Sequence, residues 1–149
     1  MGMNIADLAI SSDDIVAGDR IPDRFTADFE NALPSLTVTG VPADAVELAI
    51  IMHDPDAPLP QGFTHWTAYG IAPRDGTIDP DALRMGPNTP GDTSWSGPQP
   101  PVGHGQHHYY FWVYALSRPV DGEPSRQQFL ADYADAIIEQ NRFVGTYSR

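Results

Sequence analysis

Apolar residues along this chain gather into a few short, dense runs, separated by polar stretches rich in proline and glycine. Residues 47–53, Glu47-Leu48-Ala49-Ile50-Ile51-Met52-His53, form one such run and stop at a proline-rich turn, which predicts a buried strand. Residues 64–71 form another, rich in aromatic and β-branched side chains. In residues 107–116, Tyr109, Phe111, Val113 and Ala115 alternate with Tyr110, Trp112, Tyr114 and Leu116. Both faces are apolar, so this strand is expected between two layers. Residues 143–147 read as a short final strand, and residues 5–10 as a strand or a helical turn.

One long helix is expected. Ser125-Arg126-Gln127-Gln128 has the form of a capping box, with Ser bonding the third backbone N–H and Gln reaching back. Behind it Phe129, Tyr133, Ala136, Ile137 and Gln140 recur at three and four residues, predicting a helix down to Asn141. Residues 54–63, 72–88 and 87–102 read as loops, and no internal repeat or low-complexity tract appears. The 15 prolines and 13 glycines suit a turn-rich β protein. The pattern predicts a mainly β fold, a β-sandwich with a C-terminal helix, in a single domain over residues 1–149.

Charge narrows the partners. The net charge is −12, with 16 Asp and 4 Glu against eight basic residues that are all arginine. Nucleic acid and anionic membrane surfaces require cationic neutralisation, so neither is expected as a partner. Either salt adaptation or GC-rich codon bias accounts for the composition. With no cysteine, disulfides and thiolate metal sites are excluded. No apolar run approaches the ~20 residues of a membrane span, and residues 1–7 lack a secretory pattern. The expected location is cytoplasmic.

All five histidines lie within residues 53–108. Asp54-Pro55-Asp56-Ala57-Pro58 follows the first strand; its prolines stiffen the turn, which either aims Asp54 at a site or is capped by the two carboxylates. His65 beside Trp66 is either a packed core residue or a ligand contact. Gly97-Pro98-Gln99-Pro100-Pro101-Val102-Gly103 offers glycine N–H groups to a small anion, or serves as a rigid connector that could hold a cis peptide. The spacing of His104 and His107 resembles part of a metal site, but no His-Glu-x-x-His helix accompanies it.

In this order and spacing, the four segments, the last running His104-Gly105-Gln106-His107-His108-Tyr109, resemble the signature of the phosphatidylethanolamine-binding protein family. The likeness is closer to its short bacterial and archaeal branch, related to Raf kinase inhibitor proteins. Ile21-Pro22-Asp23-Arg24-Phe25-Thr26 and Asn31-Ala32-Leu33-Pro34-Ser35-Leu36 resemble its opening segments. The resemblance implies a large antiparallel sheet packed on a smaller one, and a shallow anion pocket at one sheet end. Carried over, that pocket comprises Asp54, Asp56, His65, Gly97, Pro100, His107 and Tyr109. The family usually has Arg where His108 stands, and strand alternation turns this position away from His107 and Tyr109. The resemblance implies a ligand-binding or regulatory protein for a small anionic or phosphorylated group, without cofactor or metal. The alternatives are a protein-interaction module, resembling a kinase or protease inhibitor, and a small-ester hydrolase. For the hydrolase, Ser94 and Ser96 lack a nucleophile-elbow pattern.

Overall fold

The computed structural model describes residues 6–149. Eight strands and one α-helix follow in the order β1 (Ala9–Ser11), β2 (Thr37–Thr39), β3 (Glu47–Asp54), β4 (Phe63–Ile71), β5 (Gly76–Thr77), β6 (Arg84–Met85), β7 (His107–Leu116), α1 (Arg126–Tyr133) and β8 (Ile137–Tyr147). They make two antiparallel sheets, a smaller one ordered β1-β2-β5 and a larger one ordered β6-β4-β3-β7-β8.

The apolar runs form the middle of the larger sheet because both its faces are covered. All eight positions of β3 are buried. Leu48, Ile50 and Met52 pack with Phe111, Val113 and Ala115 and with Ile10 and Val38 of the smaller sheet. Ala49 and Ile51 face the other way, against Tyr114, Leu116 and the helix residues Phe129 and Tyr133. A period of two on a doubly covered strand therefore yields an unbroken apolar run. The expected architecture, two antiparallel sheets with a C-terminal helix, is the one observed.

The helix is shorter than its periodicity predicts. It ends at Tyr133, a 3₁₀ turn covers Ala134–Ala136, and Ile137 to Asn141 belong to β8. Phe129 and Tyr133 occupy the helix's buried face, but beyond them the chain completes a long ladder against β7, from Leu116↔Ile137 to His107↔Tyr147. The polar residues that read as a helix end have other work. Glu139 accepts from the backbone N–H groups of Asp7 and Leu8, and Asn141 donates to the Leu8 carbonyl. Only half of the capping box forms: the Ser125 hydroxyl accepts from Gln128 N–H, while the Gln128 side chain donates to Asp132. The 72–88 stretch, expected as loop, contains β5 and β6. Of residues 5–10, Ala9 and Ile10 enter β1, and Ile5 lies outside the described residues.

Register places three strand ends together. His53 pairs with Thr64 on β4 and with Tyr110 on β7, so the end of β3, the start of β4 and the start of β7 lie side by side. The polar residues at those ends converge although 50 or more positions separate β3 from β7.

Candidate functional site

At this sheet end lies a cavity of about 280 Å³. Asp54, His65, Gly97, Pro100, His107 and Tyr109 line it, together with Phe63, Leu59 and Ser96 among others. Asp56 does not. Its carboxylate turns outward and accepts from both the backbone N–H and ring Nδ1 of His108, at 2.8 and 2.7 Å. His108 points away from the cavity, as alternation requires.

Three side chains form a chain in the site, a sealed pair of Asp54 and His107 followed by the exposed His104. His107 Nδ1 lies 2.6 Å from Asp54 Oδ2, and both side chains are only 2–3% exposed. The carboxylate holds a proton on Nδ1 and fixes the ring's orientation. His104 Nδ1 lies 2.6 Å from His107 Nε2, and one hydrogen bond joins the two ring nitrogens. Burial pushes the Asp54 carboxyl above its usual value, opposed by hydrogen bonds from His107 and the Asp56 backbone N–H. His104 was not among the pocket residues expected, and its spacing to His107 was the only signal for it. It reaches back because Gly103 and Gly105, with φ of 77° and 96°, turn the loop sharply on either side.

His65 is constrained differently. Its Nδ1 lies 2.6 Å from the Ser96 carbonyl, which can only accept, so Nδ1 carries the proton. Burial holds this ring neutral, with its pKa lowered to about 4. Its Nε2 is therefore a lone pair available to a ligand. The ring sits edge-on to Tyr109, with centroids 5.3 Å apart, and His107 stacks near the other side of Tyr109 at 6.4 Å. Tyr109 is 1% exposed, and its hydroxyl has no hydrogen-bond partner among the described residues. Burial, then the nearby Asp54 charge, raise its pKa, so the phenol is a proton donor.

The proline-glycine segment contributes shape rather than donors. The Gly97 N–H, expected to be free for an anion, donates to Asn31 Oδ1 at 2.7 Å, and the Gly103 N–H donates to the Arg149 carbonyl. A Cβ at Gly97 would collide with the Phe25 carbonyl oxygen, so close packing accounts for this glycine. The Pro100 carbonyl accepts from Arg149 Nε. No cis peptide occurs among the described residues. Nor is any group of three or more His, Asp or Glu among them arranged to hold a metal ion.

Fold and cavity together define a two-sheet β protein with a histidine-lined cavity at one end of its larger sheet. The sequence profile described as phosphatidylethanolamine-binding protein matches residues 11–148, and the chain belongs to that family. A Methanothermobacter thermautotrophicus protein designated UPF0098 is 38% identical over 141 residues, spanning 87% of this chain and 91% of its own. An Archaeoglobus fulgidus protein of the same designation is 35% identical, and there the match spans 89% of this chain but about half (48%) of the relative. A Mycobacterium tuberculosis relative, 36% identical over 94% of this chain and 72% of its own, is named as a candidate lipoprotein, LppC. The crystal structure of Escherichia coli YbcL, titled a new member of the mammalian PEBP family, superposes with a TM-score of 0.87. It shares 28% identity and covers 97% of this chain and 99% of its own. A carboxypeptidase Y inhibitor, solved in complex with its cognate proteinase, shares the fold at a TM-score of 0.60 and 16% identity, over 97% of this chain and 85% of its own. Among the described residues no helix is long and apolar enough to cross a membrane. A lipoprotein among the relatives removes any ground for assigning the cytoplasm by family.

Proposed function

We propose that the cavity recognises a small phosphoryl or carboxyl group, as a ligand-binding or regulatory site without a cofactor. The observation that carries this reading is the pair formed by Tyr109 and His65. A phenol O–H without a partner and an imidazole nitrogen without a proton, each on a buried side chain, line the same space. A partly protonated oxyanion satisfies both, accepting from Tyr109 and donating its own proton to His65 Nε2. Asp54 and His107 hold the floor, and His104 covers the remaining nitrogen of His107.

This reading links binding to protons. An unprotonated anion must bring a proton with it or leave His65 protonated, so affinity increases as pH falls from 7 toward 5. Titration calorimetry with inorganic phosphate and with phosphoethanolamine tests it. Tyr109→Phe and His65→Ala should each weaken binding roughly ten-fold or more, the scale of a hydrogen bond to a charged group. Unchanged affinity in both variants would remove the reading.

A protein partner is the second reading. Leu59, which lines the cavity, is 47% exposed, and Val102, next to the lining Pro101, is 78% exposed. Apolar side chains beside a polar cavity suit a peptide carrying an acidic or phosphorylated residue. A phosphopeptide binding more tightly than phosphate alone, and losing that advantage in Leu59→Ser, supports it.

A further inference from the structure

Strand alternation gives this sheet end a second, opposite face. Asp54 and His65 point into the cavity already described, while His53 and Thr64, their neighbours in sequence, bond to each other on the other side. There a separate cavity of about 220 Å³ opens between the β3–β4 loop, the 87–89 segment and the start of α1. Its polar lining includes Gln61, Thr64, Thr89, Arg126 and Gln127. No Asp or Glu lines it, in a chain that has 20 acidic residues.

Arg126 is unlike most arginines of this protein. Arg20, Arg24, Arg84, Arg118 and Arg149 each pair with a carboxylate. Among the described residues the Arg126 guanidinium has no carboxylate partner, and its Nε is sealed from solvent with no acceptor. A buried donor left unpaired is costly, and native proteins pair nearly all of them. Other donors converge beside it. The Gln61 and Gln127 side-chain amides have no hydrogen-bond partner among the described residues. The Thr89 and Ser125 hydroxyls accept from Thr64 and Gln128 N–H and keep their own protons to donate.

We propose that this second cavity is an oxyanion site, holding a phosphate or carboxylate group on Arg126, with Gln61, Gln127 and Thr89 completing the cradle. A guanidinium offers the fork geometry that such groups accept from two directions. The two cavities share no lining residue: Phe63 and His65 of β4 face the first, and Thr64 between them faces the second. His53 reports on it: the ring is buried and held neutral first by burial and then by the Arg126 charge. An anion on Arg126 offsets that charge, and the His53 titration moves upward.

Amide and histidine-ring NMR of the full chain, titrated separately with inorganic phosphate and with acetate, tests the proposal. The amides of Thr89, Arg126 and Gln127 should shift saturably, with the His53 titration rising, in the wild type and in His65→Ala alike. Arg126→Gln should weaken this response about ten-fold or more. Gln127→Glu, which adds a repelling charge on an exposed helix position, should do the same while the rest of the spectrum keeps its folded pattern. The proposal fails if these amides show no saturable shift with either anion. It fails equally if the response survives Arg126→Gln, or if it disappears in His65→Ala, which would make it a relay from the first cavity.

Discussion

Two Asp–His pairs join the end of β3 and the turn after it to the start of β7, and they share the same chemistry. Asp54 with His107 and Asp56 with His108 have ring-to-carboxylate distances of 2.6 and 2.7 Å. They differ in water. The first pair is 2–3% exposed and the second 40–46%. Burial pushes Asp54 above its usual pKa despite the hydrogen bonds it accepts. Burial also acts on Asp56, but there the bonds from His108 outweigh it and the pKa falls. The same contact thus has opposite consequences for the two carboxylates, because desolvation wins in one place and pairing in the other. Only the sealed pair faces the cavity, where a fixed ring orientation matters to a ligand.

The contrast can be broken most forcefully with acid. His65 and His53 are buried and have pKa values lowered to about 4 from an ordinary 6.5, chiefly by desolvation. The unfolded chain takes up protons near pH 6.5 while the folded chain resists until near pH 4. Their contribution to stability is therefore full above pH 6.5 and is lost as pH falls through that window, up to about 3 kcal/mol per ring. Urea unfolding at pH 7 and pH 4.5 should show a steep loss of stability. A flat profile would mean that water reaches these rings.

Removing one partner of the sealed pair comes next. Asp54→Ala should cost about 3–5 kcal/mol in chemical denaturation, since His107 is then buried without its acceptor. The matching change on the exposed pair, Asp56→Asn, should cost less than about 1 kcal/mol. Similar costs for the two would erase the distinction between them. A smaller, global effect concerns salt. The exposed Arg–Asp pairs weaken in salt while the repulsion within a chain of net charge −12 is relieved. If the composition is a salt adaptation, Tm rises from low to molar potassium chloride. A flat or falling Tm leaves codon bias as the explanation.

The sequence was most readable where one physical requirement dominates. Strands β3, β4 and β7 are covered on both sides, so their apolar runs admit no helical reading of similar quality. Ile137 to Asn141 carry two valid patterns at once. Helical spacing from Phe129 and a ladder against β7 both accommodate them, and only the partner strand decides. The smaller sheet is built from strands of two or three residues, too short to leave a periodic trace. In the candidate site, the meeting of Asp54, His65, His107 and Tyr109 depends on register between distant strands, which the residues alone do not disclose and the family resemblance did. The roles within the site were less legible. Asp54 and Asp56 look equivalent on one proline-stiffened turn, and the Gly97 N–H looks free until Asn31 folds over to take it.

The most direct measurement is the response of assigned histidine-ring signals to inorganic phosphate in the wild-type chain. His65 and His107 should move together along one saturable curve, with His108 moving little. Movement of His108 alone, or of no ring at all at saturating phosphate, would contradict a ligand site built on the sealed pair.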